Sequence, residues 1–307
     1  MVKHSFHIET TNKCIIECPE CARTWFKKKF PKLKQVDEID IDLLCNFLEG
    51  KTEYVNFEGI NGDTIYHSRI LELIERLKKM QIRISMTTNG SGKPIGFWHN
   101  LKKLLTANDR IVFSIDGLED TNHIYRINSK WKTIVPALEL FGTAEVSTEW
   151  KFIVFKHNEH QIYKCKKYSE ELGFNKFKII SQYRQFDSEY DQGLLPENTN
   201  FINQDKVDVA LAVLENKQID SIRPICITEE GVTLIDCHGN IFPCCMLGNY
   251  RTKYHTMWSP KQSTFNIANN TIEEIFNRTE VKEWYNSTKH LATANKYCKL
   301  FCGRKND

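Results

Sequence analysis

The chain lacks any run of about 18 consecutive apolar residues, so no membrane-spanning helix is expected. Its start, MVKHSFHIETTNKC, lacks an apolar core behind a basic beginning, so no secretory signal is expected. A cytoplasmic, reducing setting follows, and disulfides are disfavoured there. Charge of one sign is not in large excess. The net charge of 307 residues is +3 and is spread along the chain, so a nucleic-acid partner is not expected. One basic run, Lys27, Lys28, Lys29, Lys32 and Lys34 among Trp25, Phe26 and Phe30, could meet an anionic substrate or nucleic acid. It reads more simply as a solvated helix end and loop, the ordinary home of lysine. Repeats and low-complexity tracts are also missing, and 41% of residues are apolar, so globular folding is expected and disorder is not.

Cysteine is what the chain has in quantity. Nine of its eleven cysteines fall into two groups, within residues 14–21 and 226–302. Clustered cysteines in a reducing compartment point to metal. Cys45 and Cys165 stand apart in helix-like stretches and read as ordinary buried thiols.

From residue 5 to about 182, β-rich runs alternate with amphipathic stretches. Strands are expected at 5–10, 54–59, 82–87, 110–115, 148–155 and 176–181. Residues 68–80, SRILELIERLKKM, set Ile70, Leu71, Ile74 and Leu77 at the spacing of one helix face. Residues 131–141 and 161–172 behave likewise, with Gly173 as a helix stop. Six such units predict an α/β fold with a parallel sheet, either an open barrel or a doubly wound sheet. Residues 186–201 read as a loop and 205–214 as a helix. From Pro224 the pattern changes. Residues 226–235 and 240–244 suggest a hairpin turning at His238-Gly239. Residues 271–277 suggest a short helix capped by Thr271 with Glu274 three residues on. A boundary near 222 divides the chain into domains 1–222 and 223–307.

Cys14-Ile-Ile-Glu-Cys18-Pro-Glu-Cys21 directly follows the first expected strand. Three thiolates at these spacings can converge in a loop and suit an Fe–S cluster or zinc. Zinc would need a fourth ligand, for which His4 and His7 are poorly placed. A three-cysteine loop leaves one iron of a 4Fe–4S cluster open to a substrate or cofactor.

CxxxCxxC after the first strand of a βα series resembles the radical S-adenosylmethionine (SAM) superfamily. The resemblance implies a partial (βα)6 TIM-like barrel and covers residues 5 to about 182. Where the family usually has an aromatic before the third cysteine, this chain has Glu20, which implies altered packing near adenine. The resemblance carries further cofactor positions to the strand ends. Asn61, Gly62 and Asp63 match the glycine-rich acidic motif that meets the SAM amino group. Thr88 and Asn89 follow the third strand, Ser114 and Asp116 end the fourth, Asn158 follows the fifth, and Ile179 on the sixth would contact adenine. All lie at carboxyl ends of strands, where barrel sites lie.

Cys226-x12-Gly239-x4-Cys244, with the helix entry at 265–277, resembles the opening of SPASM and twitch extensions. The cysteine count fits one auxiliary 4Fe–4S cluster held by Cys226, Cys244, Cys298 and Cys302. Cys237 or Cys245 could replace one of these, and a zinc knuckle on the same thiolates is the alternative. A cluster with four thiolates has no open iron and suits electron transfer.

The resemblance implies reductive SAM cleavage to a 5′-deoxyadenosyl radical, fed by a flavodoxin- or ferredoxin-like donor. Hydrogen abstraction would lead to oxidation through the auxiliary cluster, or to epimerisation if a thiol such as Cys237 or Cys245 returns a hydrogen. Lys151, His157 and Arg184 are base candidates, and none is singled out. Only four residues precede the first strand, so an N-terminal peptide-binding module is not expected. That favours a small alcohol or amino-sugar substrate, with peptide modification as the alternative. A non-catalytic iron–sulfur carrier or zinc-stapled binding module would not need the strand-end polar groups.

Overall fold

The computed structural model describes residues 5–32, 36–181, 194–224, 232–252 and 263–305. Its first part alternates strand and helix. In order these are β1 (Ser5–Ile8), α1 (Ala22–Lys29), α2 (Ile41–Leu48), β2 (Tyr54–Phe57), α3 (Ile70–Lys79), β3 (Arg83–Thr88) and α4 (Ile95–Leu104). Then come β4 (Arg110–Ser114), α5 (Asn122–Tyr125), α6 (Trp131–Gly142), β5 (Ser147–Ile153), α7 (Ile162–Leu172) and β6 (Lys176–Ile180). The remainder comprises α8 (Gln204–Leu214), β7 (Ser221–Ile222), β8 (Val232–Ile235), β9 (Ile241–Phe242), α9 (Ile272–Asn277), α10 (Thr279–Thr288), α11 (Lys296–Cys302) and β10 (Gly303–Arg304).

Eight strands form one sheet in the order β6-β5-β4-β3-β2-β1-β8-β9. The six expected strands are all parallel. The sheet and its flanking helices make the partial TIM-like barrel with a C-terminal appendage. The expected hairpin forms, and it also extends this sheet: β8 runs parallel to β1, and β9 returns antiparallel. Its turn works through Asp236, whose Oδ1 accepts from His238 N and Asn240 N at 3.0 and 2.9 Å. Gly239 sits there at φ +79°, a conformation that a Cβ would strain.

Alternation along the strands separates two faces. Phe6, Ile8, Val55, Phe57, Met86, Phe113, Trp150 and Phe152 are buried against the helices. Each such side chain contributes about 1.5–3 kcal/mol on burial. In α3 the buried residues are Ile70, Leu73, Ile74 and Leu77. Leu73 thus takes the core place that simple spacing also offered to Leu71. Gly173 ends α7 in the left-handed conformation, and α9 carries the expected capping box of Thr271 and Glu274. The opposite sheet face is polar. Along it lie His7, Asn56, Ser114 and Lys151, each half-buried.

The tail folds back on α8. Val209, Ala212, Val213 and Ile219 pack with Leu291 and Leu300. Lys206 Nζ donates to the Phe301 carbonyl at 2.8 Å, and β10 pairs with β7. Cys45 and Cys165 are buried thiols, as expected. Among the described residues no helix is long and apolar enough to cross a membrane.

Candidate active site

The cysteine loop leaves β1 through Thr10, Thr11 and Asn12, all buried. It is tied on several sides. Ile39 N donates to Thr10 O and Asp63 N to Lys13 O, both at 2.9 Å; Glu17 N donates to Ile127 O at 2.9 Å. Inside the loop, Arg23 donates to the Ile16 carbonyl. Cys21 is the N-terminal cap residue of α1, and its N–H meets Cys18 O at 3.1 Å.

Burial pushes the Cys14 and Cys18 thiols up to about 12; Asp63 and Cys21 add to it at Cys14, and Cys21 and Cys14 at Cys18. Such thiols stay protonated unless a cation takes the place of the proton. Asn89 Nδ2 donates to Cys14 Sγ at 3.5 Å, a contact that suits a thiolate. Among the described residues, no three His, Cys, Asp or Glu side chains stand close enough to share a single metal ion. A cubane spreads its thiolates over different irons, so the loop fits a 4Fe–4S cluster better than a lone zinc.

The loop after β2 packs directly on the cysteine loop. A Cβ on Gly62 would lie 2.0 Å from the Thr11 carbonyl oxygen, so only glycine fits. Asp63 is buried, and its Oδ2 accepts from Thr88 Oγ1 at 3.1 Å, from Asn89 N at 2.8 Å and from Asn89 Nδ2. Burial raises its pKa to about 6 against these hydrogen bonds. Asn61 is fully buried and looks the other way. Its Nδ2 donates to Glu9 Oε2 at 3.2 Å and to Gly248 O at 3.1 Å, and its Oδ1 accepts from Tyr250 N at 2.9 Å.

Across the strand ends, Asp116 is fully buried. Its Oδ1 accepts from Ile153 N at 2.8 Å, and its Oδ2 lies 2.7 Å from Arg126 Nε. Asn158 Nδ2 donates to Asp116 O at 2.8 Å and Ile153 O at 3.0 Å, and its Oδ1 accepts from Phe155 N at 2.7 Å. Ser114 lies on the polar face, beside Lys151. The side chains of Asn61, Asp63, Asp116 and Asn158 are thus engaged within the chain. They join neighbouring strand ends. Ile179 is not with them. It pairs with Phe152 on the helix-facing side and is 41% exposed, whereas Ile180 pairs with Ile153 on the polar face.

At the other site, the Cys298 thiol is pushed up to about 12 by burial, with the charges of Cys244 and Cys302 adding to it. Cys244 and Cys302 are thus within electrostatic reach of Cys298. Cys244 is lowered to about 7, first by a hydrogen bond from Cys245 and then against burial by the Met246 and Leu247 amides; Met246 N lies 3.3 Å from its sulfur. The hydrogen bond to Cys244 and then burial raise the Cys245 thiol, and it also feels Glu58 just after β2. Cys237 is buried in the hairpin turn. Cys226 and Arg184 lie outside the described residues.

Sequence reasoning missed Arg126, Tyr250 and Arg251. Tyr250 stacks on Phe26 at 4.5 Å and accepts at its hydroxyl from Asn12 Nδ2 at 3.0 Å. Arg251 reaches Glu20 at 3.8 Å and lies over the Trp25 ring. Glu20, in place of an aromatic, therefore faces a cation from the C-terminal part. The aromatic members of the basic run hold that contact. None of these partners shares a motif with the cysteine loop, so no spacing announced them.

The strand-end thiols and the clustered C-terminal thiols define an iron–sulfur protein on a partial barrel. Residues 8–162 match the model of the radical SAM superfamily, and residues 226–303 match that of the SPASM iron–sulfur cluster-binding domain. The chain belongs to the radical SAM superfamily; that family implies SAM and a 4Fe–4S cluster, and the SPASM domain implies auxiliary iron–sulfur binding. Among curated proteins, it is 24% identical over 180 residues to the tungsten-containing aldehyde ferredoxin oxidoreductase cofactor-modifying protein of Pyrococcus furiosus. That match spans 54% of this chain and 48% of the relative, about half its length. Among solved structures, Streptococcus suis SuiB bound to S-adenosylmethionine superposes with a TM-score of 0.58 at 12% identity, covering 97% of this chain and 77% of that one. BtrN in complex with AdoMet and 2-DOIA gives 0.53 at 11% identity, covering 97% and 92%. At these identities the two structures carry the fold alone.

Proposed function

We propose that this enzyme binds a SAM-ligating 4Fe–4S cluster through Cys14, Cys18 and Cys21, and that it oxidises a small polar substrate at a C–H bond. Residues 1–222 carry the radical chemistry in this reading, and 223–307 the auxiliary cluster. With both groups bound, the site supplies a 5′-deoxyadenosyl radical that removes a hydrogen atom from the substrate. The chain's own work is positioning. Asp63 and Asn89 fix the loop against Cys14, Asp116 and Arg126 fix the β4–β5 ends beside Cys18, and the polar face receives the substrate. Cys226, Cys244, Cys298 and Cys302 would hold the auxiliary cluster, which would supply an electron acceptor near the substrate.

The observation that supports this reading most is the cysteine loop after β1, where Cys21 N–H meets Cys18 O at 3.1 Å and Asn89 Nδ2 donates to Cys14 Sγ at 3.5 Å. The match of residues 226–303 to the SPASM iron–sulfur domain supports the second cluster. A peptide substrate is the second reading, favoured by the match to SuiB bound to precursor peptide SuiA, which covers 97% of this chain at a TM-score of 0.61. The test is anaerobic reconstitution, reduction and addition of SAM. About eight irons per chain and release of 5′-deoxyadenosine are expected. Iron without 5′-deoxyadenosine would overturn the enzyme reading; about four irons, or zinc in the tail, would overturn the two-cluster reading.

A further inference from the structure

We propose that the substrate carries a compact anionic group, a carboxylate or phosphate, and that Lys151 holds it on the polar face of β5. The proposal rests on the reading of this face as the substrate side of a radical SAM enzyme.

Position comes first. On β5, Trp150 and Phe152 are fully buried among the outer aromatics. Lys151 between them therefore turns to the inner face. Register sets it beside Ser114 of β4 on one side and Lys178 of β6 on the other. That is the level of the strand ends, one alternation below Ile153, whose N–H meets Asp116.

Charge comes second. The carboxylates of the inner face are committed elsewhere. Glu149 is paired with Arg110 and lies 3.6 Å from Lys176. Asp116 is paired with Arg126. Glu58 is the exception: it lies 3.4 Å from His7 Nδ1, but burial lowers the pKa of that ring, so the contact is to a neutral imidazole. Among the described residues no hydrogen bond or ion pair is seen at the Lys151 ammonium. Glu58 acts on it only at a distance, and Lys178 opposes it; burial, the largest influence, lowers its pKa. The half-buried Lys151 ammonium loses hydration, which is its main penalty, and the exposed Lys178 opposite adds a smaller repulsion that Glu58 offsets from a distance. An anionic oxygen between them relieves both penalties. A lysine is a point-charge donor, which suits a carboxylate or phosphate without demanding a planar partner.

The experiment is a brief acetylation pulse on the reconstituted, SAM-loaded protein, read lysine by lysine by mass spectrometry. Parallel samples contain inorganic phosphate, acetate or chloride at matched ionic strength, and a SAM-free chloride sample reads the effect of SAM alone. The expected result is several-fold slower modification of Lys151 with phosphate or acetate than with chloride, and no change at the exposed Lys164. The stronger of the two arms tells phosphate from carboxylate recognition. Equal rates in all three samples would overturn the proposal. So would protection by SAM alone to the same extent, because the ammonium would then serve the cofactor. 5′-Deoxyadenosine release is measured on the same preparation. Release without protection removes only the anion site, and protection without release removes only the enzyme reading. A Lys178→Gln variant keeps Lys151 in place, and weaker protection in it is expected, since one of the two cations is gone.

Discussion

Tyr250 donates its backbone N–H to Asn61 Oδ1 at 2.9 Å, joining positions 189 residues apart. The same tyrosine stacks on Phe26 and accepts from Asn12, so one residue touches the β2 loop, the segment leading into the cysteines and the first helix after them. Arg251 adds Glu20. Cys244 lies six residues before Tyr250 in the chain. The segment that follows Cys244 and the cysteine loop after β1 therefore share one short, buried connection.

Tyr250→Ala should lower stability by about 3 kcal/mol, because it removes a buried ring and one acceptor of the Asn12 amide. Tyr250→Phe keeps the stack and should cost about 1 kcal/mol. Denaturant unfolding reads both. Hydrogen exchange across residues 12–21 should quicken in the alanine variant; unchanged exchange there would show that the segment does not brace the cysteine loop.

Asp63 should behave as a joint. Its carboxylate gathers donors from Thr88, Asn89 and Ile65, which tie the β2 loop to the end of β3. Asp63→Ala leaves several buried donors unpaired, at about 1–3 kcal/mol each before relaxation. SAM affinity, measured by calorimetry on the reconstituted protein, should fall with it. An Asp63→Ala protein with native stability would refute this role.

Much of this was legible in the sequence, and for identifiable reasons. Strands with strong alternation, such as β1 and β2, and helices with a clean apolar face, such as α3, declare themselves by period alone. The cysteine loop declared itself by spacing and by its place after β1. The part that hid depends on contacts between distant segments. The β8–β1 pairing has no local signature, so the hairpin read as a separate piece and not as an extension of the sheet. Asp63 and Asp116 were found, but as cofactor contacts; only packing shows that neighbouring donors engage their carboxylates. Ile179 was placed by strand number, whereas its facing depends on a register that a sequence does not carry.

The Arg126–Asp116 pair lends itself to a double-mutant cycle. Arg126 Nε and Asp116 Oδ2 are 2.7 Å apart, both side chains are buried, and Arg126 also eases the charge on Cys18. Arg126→Met should cost about 3–5 kcal/mol by taking a cation away from a buried carboxylate. Arg126→Met with Asp116→Asn should recover part of that loss, since the stranded charge is gone. Losses that simply add would show that the two side chains are not coupled.

His157 gives the chain a predictable response to acid. Its ring stacks on Phe155, which stacks on Tyr125, and its Nε2 is buried without a hydrogen bond among the described residues. Burial lowers its pKa from 6.5 to about 4, with His123 and His160 adding to the effect. The folded state thus prefers the neutral ring. Above 6.5 neither state binds the proton, and the full contribution of the neutral stack is present. As pH falls below 6.5, the unfolded chain takes up a proton that the folded chain refuses until about 4. Stability is lost across that window and levels off beneath it. Urea midpoints between about pH 7 and about pH 5 should therefore fall more steeply for the wild type than for His157→Phe, which keeps the stack and cannot titrate. Parallel slopes for the two proteins would show that His157 ionises as freely folded as unfolded.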